Sequence, residues 1–497
     1  SHTITSLGGS SSFDNNTSLN ASLVTDDHRA GLYIFGQNRY RSGYDYDGDG
    51  FTELPKLKNQ TVGFRSYLKT STYSKLTFEY HHMQEFRRGG DMLNRPPHEA
   101  HIAEQLQHSI DGGSLKFDYF SPDEKNRLSV FASAANTDRD SYYGPGNDPL
   151  KAYGKTTDLT AMGGAQYVHT FDKCFFMPSD LTAGLEYNRD RLKDNMWGYN
   201  RHTDQTVNIY SAFLQNEWKN DRWGILIGGR LDKHNMVDNV IFSPRANLRF
   251  NPTQNINLRL SYSSGFRAPQ AFDEDLHVEN VGGNVAMVEL AKDLKEERSQ
   301  SLSASADIYH RFGAFQINFL VEGFYTKLSD VFALTDGEVK DGILTRTRYN
   351  APGARVMGLT LEGKMAYLNK FQIQAGATLQ QSHYSEPHVW NKEAPAVKKM
   401  MRTPNTYGYF TATYTPVKPL SIALSGTYTG SMLIPHEPVP GFLDKPITVN
   451  TEDFFDIALK AAYDFKLYKS MNLQVNAGIQ NIFNAYPVSY THLRAHE

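Results

Sequence analysis

The sharpest chemical signal in this chain is a run of acids near its start. Asp45-Tyr46-Asp47-Gly48-Asp49-Gly50-Phe51-Thr52-Glu53 sets three carboxylates at alternate positions beside two glycines. Carboxylate oxygens are hard ligands, and this spacing matches the first half of a Ca²⁺ loop. A complete loop of that kind closes on a bidentate Glu at its twelfth position, where Lys56 stands here. Glu53, or an oxygen from another loop, would have to take that place. Two readings follow: a Ca²⁺ site of Asp45, Asp47, Asp49 and Glu53, or a solvated Asp-Gly turn.

Other residues suggest binding rather than reaction. His277, in Asp273-Glu274-Asp275-Leu276-His277, is a single imidazole whose plain reading is polar surface. His81 and His82 are neighbours, so on a strand they face opposite ways and cannot chelate together. His98 and His101 would share a face if a short helix forms within Pro96–Gln107. Arg87, Arg88, Arg139, Arg201 and Arg267 are guanidiniums suited to anionic chelates. Tyr142, Tyr143, Trp197, Tyr199, Phe272 and Trp390 could stack on a ligand, with interface anchoring and loop packing as the competing roles. Catalysis finds no support, because no Gly-x-Ser-x-Gly, phosphate loop or His-Glu-x-x-His is present. An enzyme is therefore not expected, and a barrel hydrolase assembled across strands stays a remote alternative. Cys174 is the only cysteine, which rules out an intrachain disulfide and a Cys metal cage.

The elements that would position these residues are strands. Ile256, Leu258, Leu260 and Tyr262 alternate with Asn257, Arg259, Ser261 and Ser263. Leu473, Val475, Ala477 and Ile479 alternate with Asn472, Gln474, Asn476 and Gln480. Period two means β-structure. The segments run about 9–14 residues, nearer a tilted membrane-crossing strand than a soluble one. Short turns such as Asp27-His28-Arg29, Asn220-Asp221-Arg222 and Asn251-Pro252-Thr253 alternate with long polar stretches. Those stretches are 44–60, 88–110, 139–156, 194–205, 268–298, 334–350, 385–405 and 433–451. Tight turns at one rim and long loops at the other are the layout of an outer-membrane barrel.

Composition agrees. Only 39% of residues are hydrophobic and mean hydropathy is −0.53, so no apolar run is long enough for a membrane helix. A barrel needs apolar residues only at every second position, and aromatics at 12% suit its interfacial girdles. A net charge of −3 without a basic cluster points away from nucleic acid. The expected fold is all-β: a large antiparallel transmembrane β-barrel of about 22 strands when complete, with about 21 here.

Gly265-Phe266-Arg267-Ala268-Pro269 resembles the Phe/Tyr-Arg-Ala-Pro box of TonB-dependent outer-membrane receptors, at the entry to a seventh extracellular loop. Gly478-Ile479-Gln480-Asn481-Ile482-Phe483-Asn484-Ala485-Tyr486 is similar to the penultimate-strand signature of that family, and Arg402-Thr403-Pro404 before an aromatic strand fits it as well. The resemblance implies a receptor in the outer membrane of a Gram-negative bacterium. It would capture a scarce metal chelate, an iron-siderophore or haem, for import energised by the TonB-ExbB-ExbD complex. A surface lipoprotein partner and a lipid-facing wall are further implications. In haem receptors of the family an axial His follows the Arg-Ala-Pro box, which gives His277 a possible role; Arg267 becomes a candidate chelate contact. The second box of those receptors is replaced here by Ala291-Lys292-Asp293-Leu294-Lys295. Cobalamin receptors order an early loop with Ca²⁺, which makes cobalamin an alternative ligand. A passive porin-like channel is a further alternative.

The family fills its barrel with an N-terminal plug that carries the TonB-binding box. Neither is recognisable here, so residues 1–487 are expected to be the barrel domain lacking its plug. The family's last strand ends on an aromatic residue. Residues 488–497 do not alternate and end on Glu497, so they look like a non-native tail in place of that strand.

Overall fold

The computed structural model describes residues 2–6, 13–46, 48–145, 152–281, 284–340, 343–436, 443–469 and 471–485. Asp47 and the tail 488–497 lie outside the described residues. The described residues form 26 strands, with helix among them limited to single turns. Five short strands, Glu279–Val281, Asn284–Leu290, Val397–Lys399, Leu433–His436 and Ile447–Asn450, decorate the outer loops. The other 21 form one antiparallel ladder from His2–Ser6 to Met471–Ile479. This ladder is the wall of a large transmembrane β-barrel. No pairing joins its first and last strands among the described residues.

The alternation sorts side chains between lipid and lumen. Val62 and Leu68 of Thr52–Ser71 are 60% and 50% exposed on one face, while Gly63 and Arg65 take the other. Leu258 and Leu260 are exposed on the lipid face, and Thr360 bonds Thr378 across the lumen face. Such apolar exposure is unfavourable in water and is expected where lipid covers the wall.

The short turns share one rim, where aromatic residues gather. Phe175, Phe312 and Tyr468 are 85%, 70% and 66% exposed there. Trp218 stacks on Phe176 with ring centres 5.6 Å apart, and its indole N–H donates to the Cys174 carbonyl at 3.0 Å. These amphipathic rings form the inner interfacial girdle.

At the opposite rim the strands outrun the bilayer. Phe315–Lys340 and Ile343–Tyr367 have 26 and 25 residues, where about 9–11 suffice to cross. Several expected loops are therefore strand. The stretch 334–350 lies almost entirely in this hairpin, 194–205 contracts to a turn at Trp197–Tyr199, and Thr52–Ser71 begins inside 44–60. Above the membrane both strand faces are wet, so the alternation that marks a strand disappears while the backbone ladder continues. The expected helix in Pro96–Gln107 is a single 3₁₀ turn, Pro97–Glu99, before the strand Ile102–Phe120. Gly90 makes the close approach there: its φ is +94°, and a Cβ would lie 2.1 Å from the Ile102 carbonyl oxygen.

Candidate functional site

The outer end of the barrel holds a compact core. Tyr142, Tyr143, Met196 and Tyr199 pack with Val278 and Met287, which come from the long stretch after the Arg-Ala-Pro box. Tyr199 donates its hydroxyl to the Tyr143 carbonyl at 2.7 Å, and burial pushes its phenol pKa up to about 12. Three of the candidate stacking aromatics are thus structural. Trp197 is exposed, and Phe272 packs under an arginine.

Buried ions fasten this core. Asp194 accepts from Arg201 at 3.0 Å and from Thr156 at 2.6 Å, with Arg139 at 3.8 Å. Arg201 also donates to the Leu276 carbonyl at 2.7 Å, so the strand Arg201–Lys219 grips the loop that carries His277. Arg88 is buried against the carbonyls of Gly89 and Asp91, and Arg87 pairs with Glu85 at 2.6 Å. Of the five arginines singled out in the sequence, only Arg267 lines the ligand-sized cavity described next.

That cavity has a volume of about 310 Å³ and is lined by Arg267, Arg346, Arg348, His277, Phe332 and Val288 among others. The register explains the assembly. Asn284–Leu290 pairs in parallel with the start of Ile343–Tyr367, setting Val288 beside Arg346. Arg346 and Arg348 are two residues apart, hence on one strand face. That face continues the lumen side of the strand, because the lipid-facing residues lower down are the odd-numbered Met357, Leu359 and Leu361. Arg267 also falls on the lumen side of its strand, opposite in parity to Leu258 and Leu260. Its guanidinium lies 4.1 Å from the Phe272 ring centre and 5.4 Å from that of Phe332. Arg348 sits 5.9 Å from the same Phe332 ring and bonds Asp275 at 2.5 Å, with both side chains buried. Three guanidiniums, two of them against aromatic rings, suit a delocalised anion.

His277 reaches the same cavity. Its ring meets Tyr143 edge-on at 5.0 Å, and Nε2 lies 3.6 Å from Glu104. Three other candidate histidines do not converge on it. His98 bonds the Tyr153 hydroxyl at 2.8 Å, His101 bonds Asp91 at 2.6 Å, and His82 bonds Asp111 at 2.8 Å. Sequence reasoning missed Arg346 and Arg348 because it placed them in a loop. Their i, i+2 spacing was the available signal, but it means a shared face only once the segment is a strand.

The acidic run folds into an outer loop closed by a Tyr44–Leu54 bridge. Asp45, Asp49 and Glu53 bring carboxylate oxygens within 4.8 Å of one another. Asp45 accepts from the amides of Gly48 and Gly50 at 2.7 and 2.9 Å, and Glu53 accepts from Tyr46 N–H at 2.6 Å.

A family model described as "TonB dependent receptor-like, beta-barrel" matches residues 2–482. No curated protein matches the sequence. Among solved structures, the siderophore receptor PirA from Acinetobacter baumannii is similar at 15% identity and a TM-score of 0.75, covering 97% of this chain and 75% of that one. A mutant ferric enterobactin receptor, PfeA, from Pseudomonas aeruginosa in complex with enterobactin gives the same identity, coverage and score. The outer membrane transporter YddB from Escherichia coli gives 11% identity and a TM-score of 0.71, covering 96% and 72%.

Proposed function

Because the chain belongs to the TonB-dependent receptor β-barrel family, whose members are outer-membrane transporters and not enzymes, we propose that it captures an anionic ferric chelate of the siderophore class for import. The observation that carries this reading is the cavity ringed by Arg267, Arg346 and Arg348 on the lumen side of the outer rim. A ferric chelate with catecholate or carboxylate donors holds excess negative charge on planar, polarisable arms. Guanidiniums meet such arms by paired hydrogen bonds, and Phe272 and Phe332 hold two of those guanidiniums against aromatic faces. The volume lies at the lower end of small-molecule sites, roughly 300–1,000 Å³, which fits part of a large chelate. Similar barrels described as a siderophore receptor and a ferric enterobactin receptor support the choice of ligand class.

Energy would come from the TonB-ExbB-ExbD complex of the inner membrane. Uptake of radioactive iron by cells expressing the receptor tests this reading. Uptake from an anionic siderophore that stops when TonB is deleted is the expected result. Uptake that persists without TonB would favour a porin-like channel.

The acidic loop carries a second, compatible role. Asp45, Asp49 and Glu53 would hold Ca²⁺ in the outer loop and stiffen the approach to the lumen, with Asp47 a further candidate ligand. A cobalamin receptor would use such a loop, and haem would require His277 as an axial ligand. The three-arginine lining favours the ferric chelate over both.

A further inference from the structure

The outward wall of the barrel changes character just above its apolar band. On Thr52–Ser71 the lipid-facing positions run from Leu68 up through Ser66, Phe64 and Val62, then become Gln60, Lys58 and Lys56. Residues 62–71 are about ten, the length a tilted strand needs to cross the hydrocarbon. Lys58 and Lys56 therefore stand at the level of the outer headgroups.

Cross-strand register extends the patch. Tyr40 is opposite Lys58 on one side, and Phe86 is opposite it on the other. Gln60 has Gln84 as its partner, and Lys56 has Arg88. Directly opposed residues share a face. Tyr40, Lys56, Lys58, Gln60, Gln84 and Phe86 line one cavity of about 730 Å³. Neither lysine pairs with a carboxylate among the described residues, and Arg88, opposite Lys56, is turned into the protein against the carbonyls of Gly89 and Asp91, so the two lysines carry the charge of the groove. Acids do occur on this face. Asp111 is held by Tyr80 at 2.7 Å and His82 at 2.8 Å. Asp138 and Asp140 stand on Asn126–Pro145, three strands from the lysines. At about 4.8 Å per strand that is roughly 14 Å, beyond the distance over which salt screens exposed charges.

We propose that this groove binds the phosphate of an anionic lipid headgroup in the outer leaflet. Lys56 and Lys58 supply the counter-charge, and Tyr40 and Phe86 flank the headgroup at the interface. The site is separate from the arginine cavity, because it faces lipid where that cavity faces the lumen.

Native mass spectrometry of the detergent-purified full-length receptor, titrated with phosphatidylglycerol or phosphatidylcholine, tests the proposal. Phosphatidylglycerol should be retained in preference to phosphatidylcholine. The doubly substituted Lys56→Gln/Lys58→Gln receptor should lose about tenfold in that retention. Equal retention of the two lipids would overturn the proposal, as would unchanged retention by the variant. Displacement of the lipid by an equal concentration of inorganic phosphate would also overturn it, since the site would then read a free anion. Ferric-chelate binding in the same variant should be unchanged, which keeps the failure of either proposal distinguishable.

Discussion

Arg346 and Arg348 sit two residues apart and do different work. Arg348 is buried and paired with buried Asp275. Removing one partner of such a pair leaves the other charge unpaired, at a cost of roughly 3–5 kcal/mol. Arg348→Ala should therefore lower the melting temperature and loosen the loop that carries His277. Arg346 lines the cavity. Arg346→Ala should weaken binding of an anionic ferric chelate about tenfold or more, and Arg346→Lys should recover only part, because an ammonium lacks the bidentate fork. Calorimetric titration and thermal melts of the three variants separate these roles. His277→Ala should leave ferric-chelate affinity within about twofold, since its ring is held by Tyr143.

His234 adds a dependence on pH. Burial lowers its pKa below 6.5; the bond to Gln270 opposes that shift and Lys233 adds to it. The ring accepts from the Met236 amide at Nδ1, 3.0 Å away, which requires the neutral imidazole. A depressed base stabilises the folded contact above pH 6.5 and loses that contribution as pH falls through the lowered value. Hydrogen exchange at the Met236 amide, corrected for its intrinsic rate, should accelerate as pH drops below about 6.5.

At the scale of elements, legibility in the sequence followed the solvent. Where one strand face meets lipid, as with Leu258 and Leu260, alternation declared the strand and its lipid face. Where both faces meet water, as above Lys58 or through Arg346 and Arg348, it vanished, and strand was read as loop. The 334–350 hairpin is the costly case, because two cavity arginines lie in it. Arg267 was singled out in the sequence by the Arg-Ala-Pro box, and it lines the cavity. Arg139 and Arg201 looked equivalent in sequence, and only the fold reveals that Asp194 holds both. The acidic loop was legible as a cluster of Asp45, Asp49 and Glu53. If it holds Ca²⁺, melting should rise by a few degrees on adding the ion, and Asp49→Asn/Glu53→Gln should abolish the rise. An absence of any effect from Ca²⁺ or EDTA would count against the site. Gly90→Ala should also lower the melting temperature, because the positive φ and the nearby Ile102 carbonyl leave no room for a Cβ.

Across the whole molecule, the two rims divide the labour. The turn rim is short, aromatic and regular, and it anchors the barrel in the interface. The outer rim carries nearly all the long strand extensions, the buried ion pairs and the arginine cavity. Counting alternating segments anticipated roughly 21 strands, which the ladder contains, because each crossing carries its own period-two signal. The cavity had no such signal, since it forms where three distant segments meet: the end of Ile256–Arg267, the strand Asn284–Leu290 and the hairpin ending at Tyr367.

The central claim is that these segments together recognise the negative charge of an iron chelate. Equilibrium binding of a ferric tricatecholate to the purified receptor and to its Arg267→Ala/Arg346→Ala variant tests it most directly. Saturable binding that weakens at least about tenfold in the variant, and weakens further in high salt, is the predicted result. Equal affinity in both proteins would contradict it.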